Sequence, residues 1–243
     1  IAEQIGTLAH LYDNRIDLGL GRAPGSDQYT AQFLNPNFYN DSQKFPEQVQ
    51  LLQQFLENTD QDIKVRSFVS EGSTVPIYIL GSSTDSAYVS SSFGLPYAFA
   101  SHFAPQQLSN ALAIYQSEFT ASEYLDKPYT MVCINVVICD TTEEAKFHAS
   151  SFYRMFLGII RNKREKIQEP DTSYYSDMTL DEHRYLNQML GCTFIGDQST
   201  VENQLRQFLN KYSVNELILN CPIYNQNIRK HTIKKFAEIV ASF

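Results

Sequence analysis

Apolar positions along the chain alternate between helical stripes and short continuous runs. Ile1, Ile5, Leu8 and Leu11 recur at three- and four-residue spacing and predict an opening helix that buries the face they share. Residues 16–21 (IDLGLG) then read as a short strand ended by Gly, Pro and Gly, and residues 46–58 as an amphipathic helix through Val49, Leu52, Phe55 and Leu56. Residues 75–80 (VPIYIL) are nearly all apolar, the pattern of a strand buried on both faces. A helix over about 84–93, a strand at 97–100 and a helix after Pro105 follow, the last carrying Leu108, Leu112, Tyr115 and Phe119 on one stripe. The longest β-branched run is 129–139 (YTMVCINVVIC), and Thr141-x-x-Glu144 begins the next helix with a capping-box pattern.

Residues 162–190 lose this period and read as a polar insertion with a short helix from Leu180. The pattern resumes with a helix capped by Ser199-x-x-Glu202, a strand at 216–220 (ELILN) and a closing helix over 227–243. That makes five strands, each followed by a helix. Repeated βα units of this kind build either an open doubly wound sheet or a closed barrel, and periodicity alone does not choose between them. Gly19, Gly21 and Gly25 are spaced GxGxxxG, which departs from the dinucleotide fingerprint. The first residue already lies inside a helical pattern and is not methionine, so further sequence is expected upstream of Ile1.

Composition narrows the class. A chain of 243 residues, 43% hydrophobic and without a Pro/Gly/Ser-rich linker, reads as a single domain over 1–243. A net charge of −8 excludes a nucleic-acid surface, because a phosphate backbone selects for clustered Lys and Arg. The one basic run, 161–166, reads as a solvated loop or helix end. Cys133, Cys139, Cys192 and Cys221 stand far apart with no metal-ligand spacing, the usage of a reduced, cytoplasmic protein. No apolar run approaches the ~20 residues of a membrane-spanning helix, and neither a membrane nor a metal is expected.

Three successive strand ends carry candidate chemistry. Arg22 follows the first strand among glycines, where a planar guanidinium suits a phosphate; it could equally tie the loop to a carboxylate such as Asp27. Gly81-Ser82-Ser83-Thr84-Asp85-Ser86 joins a strand to a helix. Its hydroxyls and the first free N–H groups of that helix make an anion site, or else Ser82, Ser83 or Thr84 simply caps the helix. Ser101 and His102 mark the third end, where His102 can bond a cofactor, donate a proton or serve a structural role. His10, His148, His183 and His231 lie on helical patterns and read as surface residues. In a barrel all strand C-termini open onto one face, which would let Arg22 and the serine turn converge on one phosphate.

Residues 2–27 (AEQIGTLAHLYDNRIDLGLGRAPGSD), 75–87 (VPIYILGSSTDSA), 93–105 (FGLPYAFASHFAP) and 216–229 (ELILNCPIYNQNIR) resemble, in order and spacing, the luciferase-like monooxygenase family. The resemblance implies an α/β, (β/α)8 TIM barrel of which this chain holds strands 4 to 8, lacking roughly the first three βα units. It also implies an insertion at about 162–192 between strands 7 and 8. It implies that FMN binds at the C-terminal face, its phosphate gripped by Arg22, Ser82, Ser83 and Ser86, with Ser101 and His102 toward the reacting end and His102 the catalytic candidate. Light-emitting luciferases carry glutamate at the position of Ser82 and cysteine at that of Gly21, departures that weaken the case for light emission.

The function so implied is an FMN-dependent monooxygenase that takes reduced FMN, or reduces FMN with NAD(P)H, and uses oxygen on a small organic substrate. A flavin reductase is a candidate partner and a homodimer the expected assembly. The alternatives are a deazaflavin-dependent dehydrogenase of the same superfamily and a non-catalytic flavin-binding protein. A phosphate-binding lyase or isomerase of barrel type would need a Lys, or a Glu/His pair, at strand ends; the readable strand ends lack a Lys.

Overall fold

The computed structural model describes residues 1–57 and 64–243, so Asn58, the last residue of the second expected helix, lies outside the described residues. The chain divides into two compact units, one of residues 1–98 and 110–129 and the other of 99–109 and 130–243. Among the described residues no helix is long and apolar enough to cross a membrane.

The first unit is built on two parallel strands. β1 (Leu18–Gly21) and β2 (Ile77–Gly81) pair in register from Leu18 opposite Ile77 to Gly21 opposite Leu80, so their C-terminal ends lie side by side. Ile79 N–H bonds Pro96 O, which sets the start of β3 (Tyr97–Phe99) beside β2. α1 (Ala2–Leu11) and α4 (Phe45–Leu56) cover the strands, and Val49, Leu52, Leu56, Ile77 and Ile79 form the core. α5 (Thr84–Ser92) and α6 (Leu108–Ser117) follow their strands, and the α6 stripe is buried at Leu108, Leu112 and Tyr115 as its spacing predicts.

Two local expectations differ from the structure. The opening helix buries Ala2 and Gly6, whereas Ile1, Leu8 and Leu11 are exposed. Small residues face inward because the backbones meet: a Cβ on Gly6 would lie 2.5 Å from Ser70 Cα. The loop after Arg22 also folds into α2 (Gln28–Leu34) and α3 (Phe38–Gln43). Asp27 starts α2 by accepting from Tyr29 N and Thr30 N, which supplies two of its orphan donors.

In the second unit β4 (Thr130–Ile138) is the central strand. It pairs in parallel with β6 (Glu216–Asn220) along Met131–Asn135 and with β5 (Thr193–Gly196) along Asn135–Ile138. Val132, Ile134, Val136, Val137 and Ile138 are fully buried, as a parallel strand covered on both faces requires. With β5 the described residues hold six strands where five were expected. α7 (Thr142–Ile160), α8 (Leu180–Met189), α9 (Gln198–Lys211) and α10 (Gln226–Val240) pack around these strands. His10 is exposed, and His148, His183 and His231 are half-buried on three of these helices.

The helix caps follow the expected chemistry in part. Thr141 Oγ1 accepts from Glu144 N at 3.1 Å. α9, however, is capped by Asp197, which accepts from Thr200 N at 2.9 Å and from the Ser199 hydroxyl at 2.7 Å, so Ser199 serves the cap without being it. α8 carries a complete capping box from Thr179 and Glu182. The Arg161 guanidinium, 2.6 Å away, and then Thr179 N–H hold the Glu182 carboxyl down at about 2, against an ordinary 4.5. A depressed carboxylate supports the fold above its unfolded value and loses that support as pH falls through its folded value. Amide exchange over α8 is therefore expected to be pH-independent in its protection above about 4.5 and to lose protection progressively toward pH 2. Protection that holds unchanged to pH 2 would show that the pair contributes nothing to α8.

Candidate functional site

In the first unit, Arg22 and the serine turn emerge from the adjacent ends of β1 and β2. Arg22 Nη2 lies 2.7 Å from Asp85 Oδ2, in the first turn of α5, with 42% of the arginine side chain and 61% of the aspartate exposed. Asp27, the partner weighed from sequence, is occupied with the α2 cap, and those bonds, first from Thr30, hold its carboxyl below the ordinary range. Arg22 thus reaches the start of α5, the neighbouring strand end.

Ser83 occupies the N-cap position of α5 in extended conformation, φ −137° and ψ 170°, and its hydroxyl makes no bond to the helix. A capping serine would normally satisfy one of the first N–H groups; among the described residues the Ser83 hydroxyl supplies no such bond to α5. Ser82 is half-buried beside it. Ser86 is differently placed: its Oγ donates to Ser83 O at 2.7 Å and lies 2.9 Å from Tyr97 Oη, which itself bonds Ser83 O at 3.1 Å. Tyr97 is fully buried, and burial pushes its phenol up to about 12, so it stays a neutral donor. Gly81 makes this closeness possible, since a Cβ there would fall 1.7 Å from Ser86 Oγ. Tyr97 and Asp85 were not singled out from sequence, although an acid in a helix's first turn is a legible anchor for a basic side chain.

In the second unit Ser101 is fully buried and its hydroxyl donates to Cys133 O at 2.6 Å. His102 is half-buried, edge-on to Phe103 with ring centroids 4.7 Å apart, and burial lowers its pKa, which keeps the imidazole neutral. Its main-chain oxygen accepts from Asn135 Nδ2 at 2.6 Å. Asn135 escaped the sequence reading because it stands inside the longest apolar run, yet a lone amide in such a run is itself a signal that something buried needs a partner. The four cysteines are free thiols, and burial raises Cys133 and Cys221 to about 11.

Two parallel strand ends place a guanidinium beside the first turn of a helix in an α/β protein. Comparison with known proteins carries the identification further: the family model of luciferase-like monooxygenases matches residues 1–215, and the chain belongs to that family. A luciferase-like monooxygenase of Escherichia coli (strain K12) is 38% identical over 234 residues, covering 96% of this chain and 70% of that protein. Among solved structures, apo-MsnO8 superposes with a TM-score of 0.79 at 21% identity, over 99% of this chain and 73% of that one. The oxygenating constituent of 3,6-diketocamphane monooxygenase from Pseudomonas putida, in complex with FMN, gives 0.67 at 15% identity, over 99% and 74%. An F420-dependent secondary alcohol dehydrogenase gives 0.65 at 12%, over 96% and 73%. The fold is therefore the α/β, TIM-barrel class of these enzymes.

Proposed function

We propose that this family member is an FMN-dependent monooxygenase that uses molecular oxygen on a small organic substrate. The observation that carries the reading is the meeting of Arg22 with the first turn of α5, 2.7 Å from guanidinium to Asp85 carboxylate, which puts a cation and open N–H donors at one spot. Arg22, Ser82, Ser83 and the α5 N–H groups would grip the flavin phosphate on a turn that Ser86 shapes. Ser101 and His102 are assigned to the reacting end, with Ser101 anchoring the strand end and His102 touching the flavin. Bound reduced flavin supplies the electrons for oxygen; the protein positions it and keeps water out. A homodimer in the cytoplasm, fed with reduced flavin by a separate reductase, completes the proposal.

The F420-dependent neighbour supports a second reading, in which a deazaflavin binds at the same grip and the reaction is a dehydrogenation. Titration of the purified protein with FMN and with F420, followed by anaerobic reduction and exposure to oxygen, separates them. Tight FMN binding and oxygen consumption by the reduced complex support the monooxygenase. F420 binding alone supports the dehydrogenase, and binding of neither overturns both.

Asp85 gives this grip an internal competitor, because its carboxylate holds the guanidinium that the phosphate needs. Exposed ion pairs contribute about 0.2–1 kcal/mol, so release is cheap. Asp85→Asn is expected to tighten FMN binding by up to about fivefold in a fluorescence titration. Weaker binding in that variant would show that Asp85 helps to hold the ligand.

A further inference from the structure

The strand end that carries His102 is tied down by buried side chains from β4. Asn135 is fully buried at the point of β4 where the pairings with β5 and β6 meet. Its Nδ2 donates to His102 O at 2.6 Å and to Thr193 Oγ1 at 3.2 Å, and its Oδ1 accepts from Asn220 Nδ2 at 2.8 Å. One residue earlier, the Ser101 hydroxyl is bonded to Cys133 O. A satisfied amide in a parallel core adds little net stability over an apolar residue of the same shape, whereas it fixes the geometry of what it bonds.

That geometry converges on the imidazole. His102 Nδ1 is buried and has no hydrogen-bond partner. An orphaned N–H is costlier than an orphaned lone pair, so the neutral ring leaves Nδ1 bare and carries its proton on Nε2. The ring is only half-buried, which leaves Nε2–H as the nitrogen open to a ligand.

The geometry points to Asn135 as a positioning residue: through His102 O it fixes the turn that presents His102 Nε2–H as a hydrogen-bond donor to a carbonyl oxygen of the flavin ring. The inference rests on the flavin reading above for its ligand, but its positioning half does not. Asn135 touches no ligand; it acts through His102.

Imidazole 15N shifts report the tautomer directly, and His102→Gln identifies the His102 signals. In wild type the Nε2–H form is expected, and FMN is expected to move the His102 Nε2 signal. Asn135→Ala is expected to average the two tautomers, to abolish that FMN-induced shift and to weaken FMN binding severalfold. Thr232→Val is the control: the fully buried Thr232 hydroxyl bonds both Ile138 N and Ile138 O, so its loss lowers the melting temperature without touching the His102 turn. If Asn135→Ala does not fold, Ser101→Ala removes the second tie and should shift the tautomer balance the same way. An unchanged His102 tautomer in the Asn135 or Ser101 variant, or an equal change in Thr232→Val, overturns the positioning role. FMN that binds without moving the wild-type His102 signal overturns the ligand contact. If FMN does not bind at all, the flavin reading fails, and the tautomer comparison still decides the role of Asn135.

Discussion

Replacing Arg22 by alanine is expected to weaken FMN binding by about 1.5–3 kcal/mol, roughly 10- to 150-fold, while the melting temperature stays close to that of the wild type. The first half follows from the charge-assisted bonds a guanidinium makes to phosphate, which are stronger than neutral ones. The second half follows from exposure: Arg22 and Asp85 are 42% and 61% exposed, and a pair so placed contributes about 1 kcal/mol at most. The combination of a large affinity loss with a small stability loss distinguishes a ligand grip from a loop tie. Arg22→Lys keeps the charge but loses the planar fork, so it is expected to recover only part of the affinity. A fluorescence titration beside a thermal melt measures both quantities. Unchanged affinity in Arg22→Ala would remove Arg22 from the grip.

The strands that position this site were legible because each is a short apolar run, and β4, buried along most of its length, was the clearest; β2 buries Ile77 and Ile79 but leaves Leu80 exposed, so it is not covered on both faces as its run predicts. β5 was missed for the opposite reason. Thr193-Phe194-Ile195-Gly196 is four residues long, ends in glycine, and buries only Phe194 and Gly196. Periodicity needs a longer window than that. α2 and α3 were invisible because they bury almost nothing, Ala31 alone between them, so no stripe marks their faces. The opening helix shows that spacing can name the wrong face. Ile1, Leu8 and Leu11 share a side, yet the side that packs is the one whose glycine lets Ser70 approach.

The site divides along the same line. Arg22, Ser82 and Ser83 could be named from position alone, since a strand end and a helix start fix where they stand. Partners could not: Asp85 against Arg22, Tyr97 beneath Ser86 and Asn135 behind His102 are contacts across 63, 11 and 33 residues of chain. Only the fold brings such pairs together. The family resemblance supplied the ligand, and geometry supplied the reason that the serines differ, with Ser83 free and Ser86 committed.

That commitment makes Gly81 the second sensitive position. An ideal Cβ on residue 81 lies 1.7 Å from Ser86 Oγ and 2.3 Å from Ser86 Cβ. The hydroxyl alone could rotate away, at the loss of its bonds to Ser83 O and Tyr97 Oη, but Cβ moves only with the α5 backbone. Gly81→Ala is therefore expected to displace the first turn of α5 and to destabilise the protein by about 1–3 kcal/mol, the range for overpacking. FMN affinity should fall with it, because the same turn carries the Ser83 hydroxyl and the open N–H groups. Arg22→Ala and Gly81→Ala thus separate two failures, a missing cation on an intact turn and an intact cation beside a displaced one. Adding Ser86→Gly to Gly81→Ala removes both clashing atoms at a cost of about 1 kcal/mol for glycine in a helix. Stability should then recover in part, while FMN affinity stays low because the turn loses both bonds of Ser86 and keeps only the one from Tyr97 Oη to Ser83 O. Full recovery of affinity in the double variant would mean that the serine–tyrosine arrangement is incidental to the grip and that Arg22 with the helix N-terminus suffices.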